Sequence, residues 1–323
     1  MKRFLSILSL LLFVTACDDG DLTVDVIDFS EIQAQKCTNK DVIYKIKDNE
    51  MLFLEIPAAT FLSNQTIVGE PIEVPLSSTI KVTYRKYANT VSNAAICPSV
   101  PDAEPNVIEE WKATAGIIQI TSTAIKNTNA TNNSTRITGY RHYIEFKNIT
   151  FLKPTGPQLQ ATFIFGNYIT PVSALAFGFG LNPEVSKSTC TNDNRIFDFS
   201  GSEVFTLDIA DFNDFFKNEV TTTPRTRVIS ATNKLSYRLY SNAILNAFFC
   251  TTPIPATPVL TQQWNAVNGQ ENIDGTIQVT TIDLGNNIFR HTISLKKVTL
   301  KKDNSDFSLG DDYFFGTFDR PNP

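Results

Sequence analysis

The sequence has few of the residues on which enzyme chemistry usually depends. Its 323 residues include only two histidines, two tryptophans and five cysteines. It contains no Gly-x-Ser-x-Gly, His-Glu-x-x-His or Cys-x-x-Cys sequence, which excludes the nucleophile elbow of hydrolases and the usual zinc sites. A phosphate-binding glycine loop is also missing. We therefore expect a protein that is not an enzyme and has no cofactor and no metal site.

Positive charge is scarce as well. Lysine and arginine number 28 against 33 aspartates and glutamates, which gives a net charge of −5. Because no basic stripe is present to neutralise phosphates, the chain is not expected to bind nucleic acid. After residue 16 no apolar run reaches the length of a membrane-spanning helix, so we expect the rest of the chain to be soluble.

The first residues have the pattern of a secretory signal peptide, which we assign to residues 1–16. Lys2 and Arg3 precede an apolar run, Phe4–Ala16, that is too short to cross a bilayer as a helix. The signal predicts export to a compartment in which disulfides can form.

The residues around Cys17 resemble the lipobox of bacterial lipoproteins, in which the cysteine becomes the lipid-modified first residue. The matching stretch is Val14-Thr15-Ala16-Cys17. Residues 17–21 would be this cysteine and an acidic tether, which resembles the surface-export signal of lipoproteins in the Bacteroidota. The resemblance implies a lipid anchor in the outer membrane and exposure at the cell surface. Asp18 also resembles an inner-membrane retention signal of other bacteria, so a periplasm-facing location is one alternative, and an ordinary signal peptide is another.

The rest of the chain is a tandem repeat. Three pairs of rare residues share one separation, since 190 − 37, 250 − 97 and 264 − 111 all equal 153: Cys37 and Cys190, Cys97 and Cys250, Trp111 and Trp264. We therefore place domain 1 at residues 22–168, a linker at 169–171, domain 2 at 172–318 and a tail at 319–323. The symmetric spacing predicts one bridge inside each copy, Cys37–Cys97 and Cys190–Cys250.

The local pattern predicts an all-β fold of two tandem homologous antiparallel β-sandwich domains, each with one internal disulfide. Tyr140–Phe146 alternates inward and outward residues with the period of a strand, and Phe289–Leu295 repeats this pattern. The one plausible helix is Ala210–Lys217, with a counterpart near Ala58–Leu62. The order of the strands in each sandwich is left open.

Six residues are candidate ligand contacts, namely Trp111, Trp264, Arg141, His142, Arg290 and His291. Each His–Arg pair could form a small anion site, but the histidines are in phase with apolar neighbours, which favours hydrogen-bonded histidines at the edge of a sheet. The tryptophans could stack on sugar rings, but their apolar neighbours favour a place in the core. Two acidic clusters, at 208–214 and 303–312, lack the ligand register of a calcium loop and are interpreted as solvated turns.

The whole chain resembles two-domain surface lipoproteins of the Bacteroidota. The resemblance depends on the lipobox, the acidic tether and the motif Trp-x-Ala-x-x-Gly followed by Arg-His in each copy. It implies a location and a fold, and it implies no activity.

We predict a non-catalytic cell-envelope lipoprotein that acts as a binding or structural module and contacts the membrane through its lipid. One alternative is a glycan- or protein-binding accessory in surface nutrient capture, with loops 98–106, 127–135 and 270–275 as its binding edge. The other alternative is a hydrolase whose carboxylate pair is marked by no motif.

Overall fold

The computed structural model describes residues 27–179, 184–187, 194–251 and 253–321. The predicted signal peptide, the lipidated cysteine, the acidic tether and Cys190 lie outside these residues. The described chain is mostly β-structure in antiparallel sheets, which confirms the predicted class of fold. No helix in the described ranges combines the length and the apolar character needed to cross a membrane.

The first sheet has eight strands. They are β1 (Gln35–Lys36), β2 (Val42–Lys47), β3 (Glu50–Glu55), β4 (Ile72–Pro75), β5 (Lys81–Tyr87), β6 (Val107–Thr128), β7 (Thr135–Lys153) and β8 (Gly156–Pro171). The order across the sheet is β1-β2-β3-β5-β6-β7-β8, and β4 pairs with β6.

The second half of the chain forms a seven-stranded and a four-stranded sheet. Its strands are β9 (Ser186–Lys187), β10 (Arg195–Ser200), β11 (Glu203–Asp208), β12 (Arg225–Val228), β13 (Lys234–Tyr240), β14 (Leu260–Ala266), β15 (Thr276–Asp283), β16 (Ile288–Lys296), β17 (Thr299–Lys302), β18 (Ser305–Ser308) and β19 (Asp312–Pro321). The larger sheet has the order β18-β17-β14-β13-β11-β10-β9, and the smaller one has the order β12-β15-β16-β19.

Helical structure in the described chain is limited to short segments. Helix α1 spans Phe212–Phe215, inside the stretch predicted to be helical, and Ala58–Thr60 is a 3-10 helix at the predicted counterpart. Two further 3-10 helices span Asn93–Ala95 and Asn246–Cys250.

The pairing of strands in the two halves recurs at the separation found in the sequence. Tyr84 of β5 pairs with Trp111 of β6, and Tyr237 of β13 pairs with Trp264 of β14. The register of each of these pairs then shifts, after 86 in the first half and after 239 in the second. Since 239 − 86 and 237 − 84 both equal 153, the bulges as well as the pairs correspond.

The two halves differ in the continuity of their later strands. β6, β7 and β8 are unbroken over 22, 19 and 16 residues. The corresponding stretches of the second half are each divided in two, giving β14 and β15, β16 and β17, and β18 and β19. At each division the chain passes between the seven-stranded and the four-stranded sheet, which is why the second half has two sheets where the first has one.

The chain divides into two compact units that do not follow the predicted linker at 169–171. In the described chain, unit 1 contains residues 27–57, 75–118 and 145–166, and unit 2 contains 58–74, 119–144 and the described residues from 167 onward. The division falls inside the long strands, so that part of β6 and part of β7 belong to the same unit as the second half of the chain.

The core of unit 2 lies between its seven-stranded and four-stranded sheets, as in a β-sandwich. Phe205 and Leu207 from β11 and Ile277 and Ile293 from the smaller sheet belong to one buried cluster, and each is at most 1% exposed. Alternation along the strands produces this core, because every second side chain points to the same face.

A smaller core in unit 1 surrounds the predicted disulfide Cys37–Cys97, which is confirmed. The two Cα atoms are 5.2 Å apart, and Tyr44, Met51 and Tyr87 belong to the same buried cluster. The bridge joins residues 60 positions apart, and closing such a loop in the unfolded chain corresponds to about 4 kcal/mol of stabilisation. Because Cys190 lies outside the described residues, the second bridge remains a prediction.

Candidate functional site

His142 is fully buried on β7 in unit 2, and both of its ring nitrogens are hydrogen-bonded. Nδ1 lies 2.7 Å from Ser122 Oγ, and Nε2 lies 2.8 Å from Thr170 Oγ1. The rings of Phe61 and Tyr168 pack against the imidazole. Burial lowers the pKa of His142 to about 4, so the ring is neutral near pH 7.

His291 on β16 has a matching environment. Its Nδ1 lies 2.8 Å from Thr281 Oγ1, its Nε2 lies 3.3 Å from Asn218 Oδ1, and the residue is fully buried. Burial, with a smaller contribution from the positive charges of Arg225 and Arg320, lowers its pKa to about 4. Both histidines therefore have the geometry of neutral structural groups, and they lie deeper than the sheet-edge position expected from the sequence.

The arginines beside the histidines do not join them in an anion site. Arg141 is exposed while His142 is buried, because successive residues of a strand point to opposite faces. Arg290 donates from Nε and Nη2 to the two carboxylate oxygens of Asp319, at 2.7 and 2.8 Å. The structure therefore separates each histidine from its neighbouring arginine.

Both tryptophans are buried. Trp111 is 3% exposed and donates from Nε1 to Glu109, 2.7 Å away, whereas Trp264 is 5% exposed and donates to Gln262, 3.1 Å away. Rings buried to this degree present no open platform at the protein surface, so the core interpretation agrees with their geometry, although Trp264 also contributes to the lining of a cavity.

The acidic clusters are paired with basic side chains. Asp208 is hydrogen-bonded to Arg195, and Asp211 and Asp214 both accept from Arg227. Across the described ranges, no three histidine, cysteine, aspartate or glutamate side chains are grouped as ligands for one metal ion.

The predicted binding loops differ in their surroundings. Loop residues 129–134, between β6 and β7, pack in unit 2 against the turn before β19, where Asn133 Nδ2 donates to Asp311 Oδ2 at 2.6 Å. Residues 271–274, from the predicted binding loop 270–275, line an open pocket of about 500 Å³ together with Lys296 and Lys297.

Unit 2 contains a cavity of about 470 Å³ that the sequence did not indicate. Its lining combines two basic side chains with aromatic, aliphatic and hydroxyl groups. The lining residues are Ser63, Arg136, Ile137, Tyr140, Val172, Ser173, Leu175, Thr261, Gln262, Trp264, Lys302 and Phe307. None of the lining residues is acidic, and the volume is within the usual range for a small-molecule site.

Arg136 is the most constrained basic group of this cavity. Its Nη1 donates to the carbonyl oxygens of Thr135 and Ser308, at 2.7 and 3.3 Å. The rings of Phe177 and Phe307 lie 4.3 and 5.4 Å from the guanidinium carbon. In the described part of the chain, its Nε and Nη2 have no hydrogen-bond acceptor and the guanidinium has no ion pair. Burial lowers the pKa of this guanidinium below its ordinary value, but the group remains charged near neutral pH.

Lys302 is the second basic group of the cavity. Its Nζ is 3.8 Å from Asp303 Oδ2 and 6.0 Å from the centre of the Trp264 ring, and its side chain is 34% exposed. No hydrogen bond from this ammonium group to a described residue is present. Its partner is therefore a single carboxylate at a distance longer than a hydrogen bond.

The corresponding lysine in unit 1 is engaged differently. Lys153 corresponds to Lys302, since each lies 11 residues after the histidine of its half, 153 − 142 and 302 − 291, and each is the last residue of a strand. Lys153 Nζ donates to Gln158 Oε1 at 2.9 Å and lies 4.7 Å from the Trp111 ring centre. By the same separation of 149 residues, since 307 − 158 and 302 − 153 are equal, Phe307 occupies the position of this glutamine. The second half therefore lacks the side chain that accepts from the lysine in the first half.

A buried carboxylate is hydrogen-bonded to Phe177, whose ring lies beside Arg136. Glu203 is 5% exposed, and its Oε1 accepts from the Phe177 amide at 3.0 Å and the Tyr237 hydroxyl at 2.5 Å. Its Oε2 accepts from the Gly178 amide at 2.9 Å. These bonds fix residues 177–178 and hold the Phe177 ring against Arg136.

Comparisons with known proteins supply no relative. No family model matches the chain, and no curated protein and no solved structure matches it.

Proposed function

We propose that the chain is a non-catalytic binding module of the bacterial cell envelope, with the cavity of unit 2 as its binding site. The observation that carries the proposal is the cavity itself, in which the cationic groups of Arg136 and Lys302 face a partly apolar lining without an acidic residue. Polar groups that lack partners are costly to bury, and ligand sites commonly place a few of them in an apolar wall.

We also propose that the two halves are homologous copies of one β-module. The proposal is supported by the common separation of 153 residues, the matching strand registers and the matching positions of the two bulges. It includes the second bridge, Cys190–Cys250, and the assignment of residues 22–168 and 172–318 to the two copies. Divergence after duplication would account for a cavity lining that differs between the halves.

The proposed anchor is a lipid on Cys17, at the outer membrane and facing outward. The support is the lipobox and the acidic tether, residues 17–21. We expect the unsubstituted protein to partition into the detergent phase, and Cys17→Ser to abolish its lipid modification. We also expect protease added to intact cells to degrade the unsubstituted protein. Full protection in intact cells would indicate the periplasm-facing alternative.

The binding function is tested by a thermal-shift screen of residues 18–323, which include every described residue. The panel contains organic anions, amino acids, neutral sugars, oligosaccharides and calcium. We expect a rise in melting temperature with at least one small molecule, because ligands that bind the folded state stabilise it. A response restricted to oligosaccharides would favour the glycan-binding alternative. No response to any small molecule would contradict the proposed site.

A further inference from the structure

We infer that the cavity of unit 2 binds a small monocarboxylate with an aromatic or branched apolar body, and that Arg136 and Lys302 hold its carboxylate. This inference rests on the proposed binding function and names the chemical class of the ligand. It follows from which N–H donors of the site already bond to the protein and which remain for a ligand.

Arg136 presents one particular edge of its guanidinium to a ligand. Nη1 is committed to two backbone carbonyl oxygens, and the rings of Phe177 and Phe307 lie beside the guanidinium. The donors left are Nε–H and Nη2–H, which are parallel and spaced to match the two oxygens of a carboxylate. Because the aromatic rings and the backbone bonds hold the group in place, little side-chain entropy remains to be lost on binding.

The charge around the site suits a single negative charge. Lys302 already lies near the carboxylate of Asp303, and the pKa of Arg136 is influenced by the negative charge of Glu203. Two cations that are each partly compensated leave a weakly positive site. A dianion such as a phosphate monoester would carry more negative charge than the two cations can neutralise. The excess charge would be costly to desolvate in this half-buried site.

The rest of the lining favours an apolar body. Ile137, Val172 and Leu175 supply aliphatic surface, and Trp264 and Phe307 supply aromatic surface. The centroids of the Trp264 and Phe307 rings are 5.0 Å apart, and the planes of the rings are inclined by 63°. The two rings therefore form a corner and not a flat platform. A compact ring system fits such a corner better than an extended chain.

The first copy supplies an internal control. Lys153 has Gln158 as its acceptor, whereas Lys302 faces Phe307 at the equivalent position. The replacement of glutamine by phenylalanine both removes a competing acceptor and adds apolar surface to the cavity. Both changes favour an external anion with an apolar body.

The test is isothermal titration of residues 18–323 with indole-3-acetate and with its neutral isostere, indole-3-acetamide. We expect the carboxylate to bind and the amide to bind at least about thirtyfold more weakly, because the amide leaves the charged donors poorly satisfied. Lys302→Met and Phe307→Gln should each weaken binding of the carboxylate by about five- to tenfold, since the first removes a cation and the second restores the acceptor of copy one. Lys153→Met is the matched control and should leave binding unchanged.

Arg136→Lys keeps the charge but removes the paired donors, and we expect a loss of at least tenfold. If this variant melts at a lower temperature than the parent, Lys302→Met decides the question, because the Lys302 side chain is 34% exposed and has no hydrogen bond to a described residue, whereas Phe307 belongs to the buried core. Equal binding of acid and amide, or equal effects of Lys302→Met and Lys153→Met, would overturn the inference. So would the absence of acid binding in a protein that responds to neutral sugars in the thermal-shift screen, a result that would leave the binding function standing.

Discussion

The two buried histidines make the stability of the fold depend on pH, and the size of this effect can be worked out. His142 and His291 have pKa values of about 4 in the folded chain, against the ordinary 6.5. Between these values the unfolded chain binds more protons than the folded chain, so stability falls as pH falls from 6.5 towards 4. At pH 5 the loss relative to pH 7 is about 2 kcal/mol for each histidine, or about 4 kcal/mol for the pair.

One carboxyl group opposes this trend. Burial raises the pKa of Asp198 to about 6, so the folded chain binds its proton before the unfolded chain does. Stability from this group therefore increases as pH falls from 6 towards 3.8, and by pH 5 it offsets about 1 kcal/mol. The net loss expected between pH 7 and pH 5 is about 3 kcal/mol.

A double variant isolates the contribution of the histidines. His142→Gln with His291→Gln retains a hydrogen-bonding side chain at each site but removes the titrating ring. Urea unfolding at pH 7 and at pH 5, at fixed ionic strength, gives the free energy of unfolding for both proteins. We expect the parent to lose about 4 kcal/mol relative to the variant over this interval. Parallel pH profiles for the parent and the variant would refute the argument.

Two further predictions concern buried contacts. Glu203→Gln should lower the free energy of unfolding by about 2–3 kcal/mol, because the amide NH₂ would face donors that now bond to a carboxylate. Glu50→Gln, at the corresponding position in the first half, affects a carboxylate that accepts from the Tyr84 hydroxyl, and the amide oxygen can still accept this bond, so it should cost about 1 kcal/mol or less; an equal loss in both variants would be inconsistent with the network. Gly116→Ala should cost about 3 kcal/mol or more by urea unfolding, since a Cβ there would lie 2.8 Å from Ile149 Cα, at a φ of +135°. Gly156→Ala shares a positive φ of +122° but meets no atom within 4 Å, so a loss as large as that of Gly116→Ala would contradict the steric explanation.

Much of the local structure could be predicted because each feature has a local cause. The alternation in Tyr140–Phe146 and Phe289–Leu295 appears as buried and exposed residues on β7 and β16. The short helix was expected within Ala210–Lys217, where α1 is found. The spacing of the cysteines alone predicts the Cys37–Cys97 bridge that the structure contains.

The division into compact units could not be predicted in the same way. The division depends on whether a strand continues past a given point. Buried and exposed side chains alternate along the unbroken strand at 107–128, and they alternate in the same way in β14 and β15, on the two sides of the break at 267–275. The alternation therefore does not show where a strand is interrupted. The sequence repeat therefore suggested two successive bodies. In the structure the later part of β6 and the earlier part of β7 belong to the unit that also holds the second half of the chain.

The cavity was missed for a related reason. Arg136 and Lys302 are 166 positions apart, since 302 − 136 = 166, and neither lies in a recognisable motif. A signal was nevertheless present in the comparison of the two copies, where Gln158 corresponds to Phe307 beside a lysine that both copies keep. Positions at which a repeat departs from its own pattern would have indicated the site better than the histidines and tryptophans that both copies retain.

The claim that supports most of this account is that one β-module, with its own disulfide, occurs twice in the chain. Peptide mapping of the oxidised protein under non-reducing conditions tests it most directly. We predict one peptide pair joining Cys37 to Cys97 and another joining Cys190 to Cys250. A peptide joining Cys190 to a cysteine of the first copy, or a Cys190 that alkylates as a free thiol, would contradict the claim.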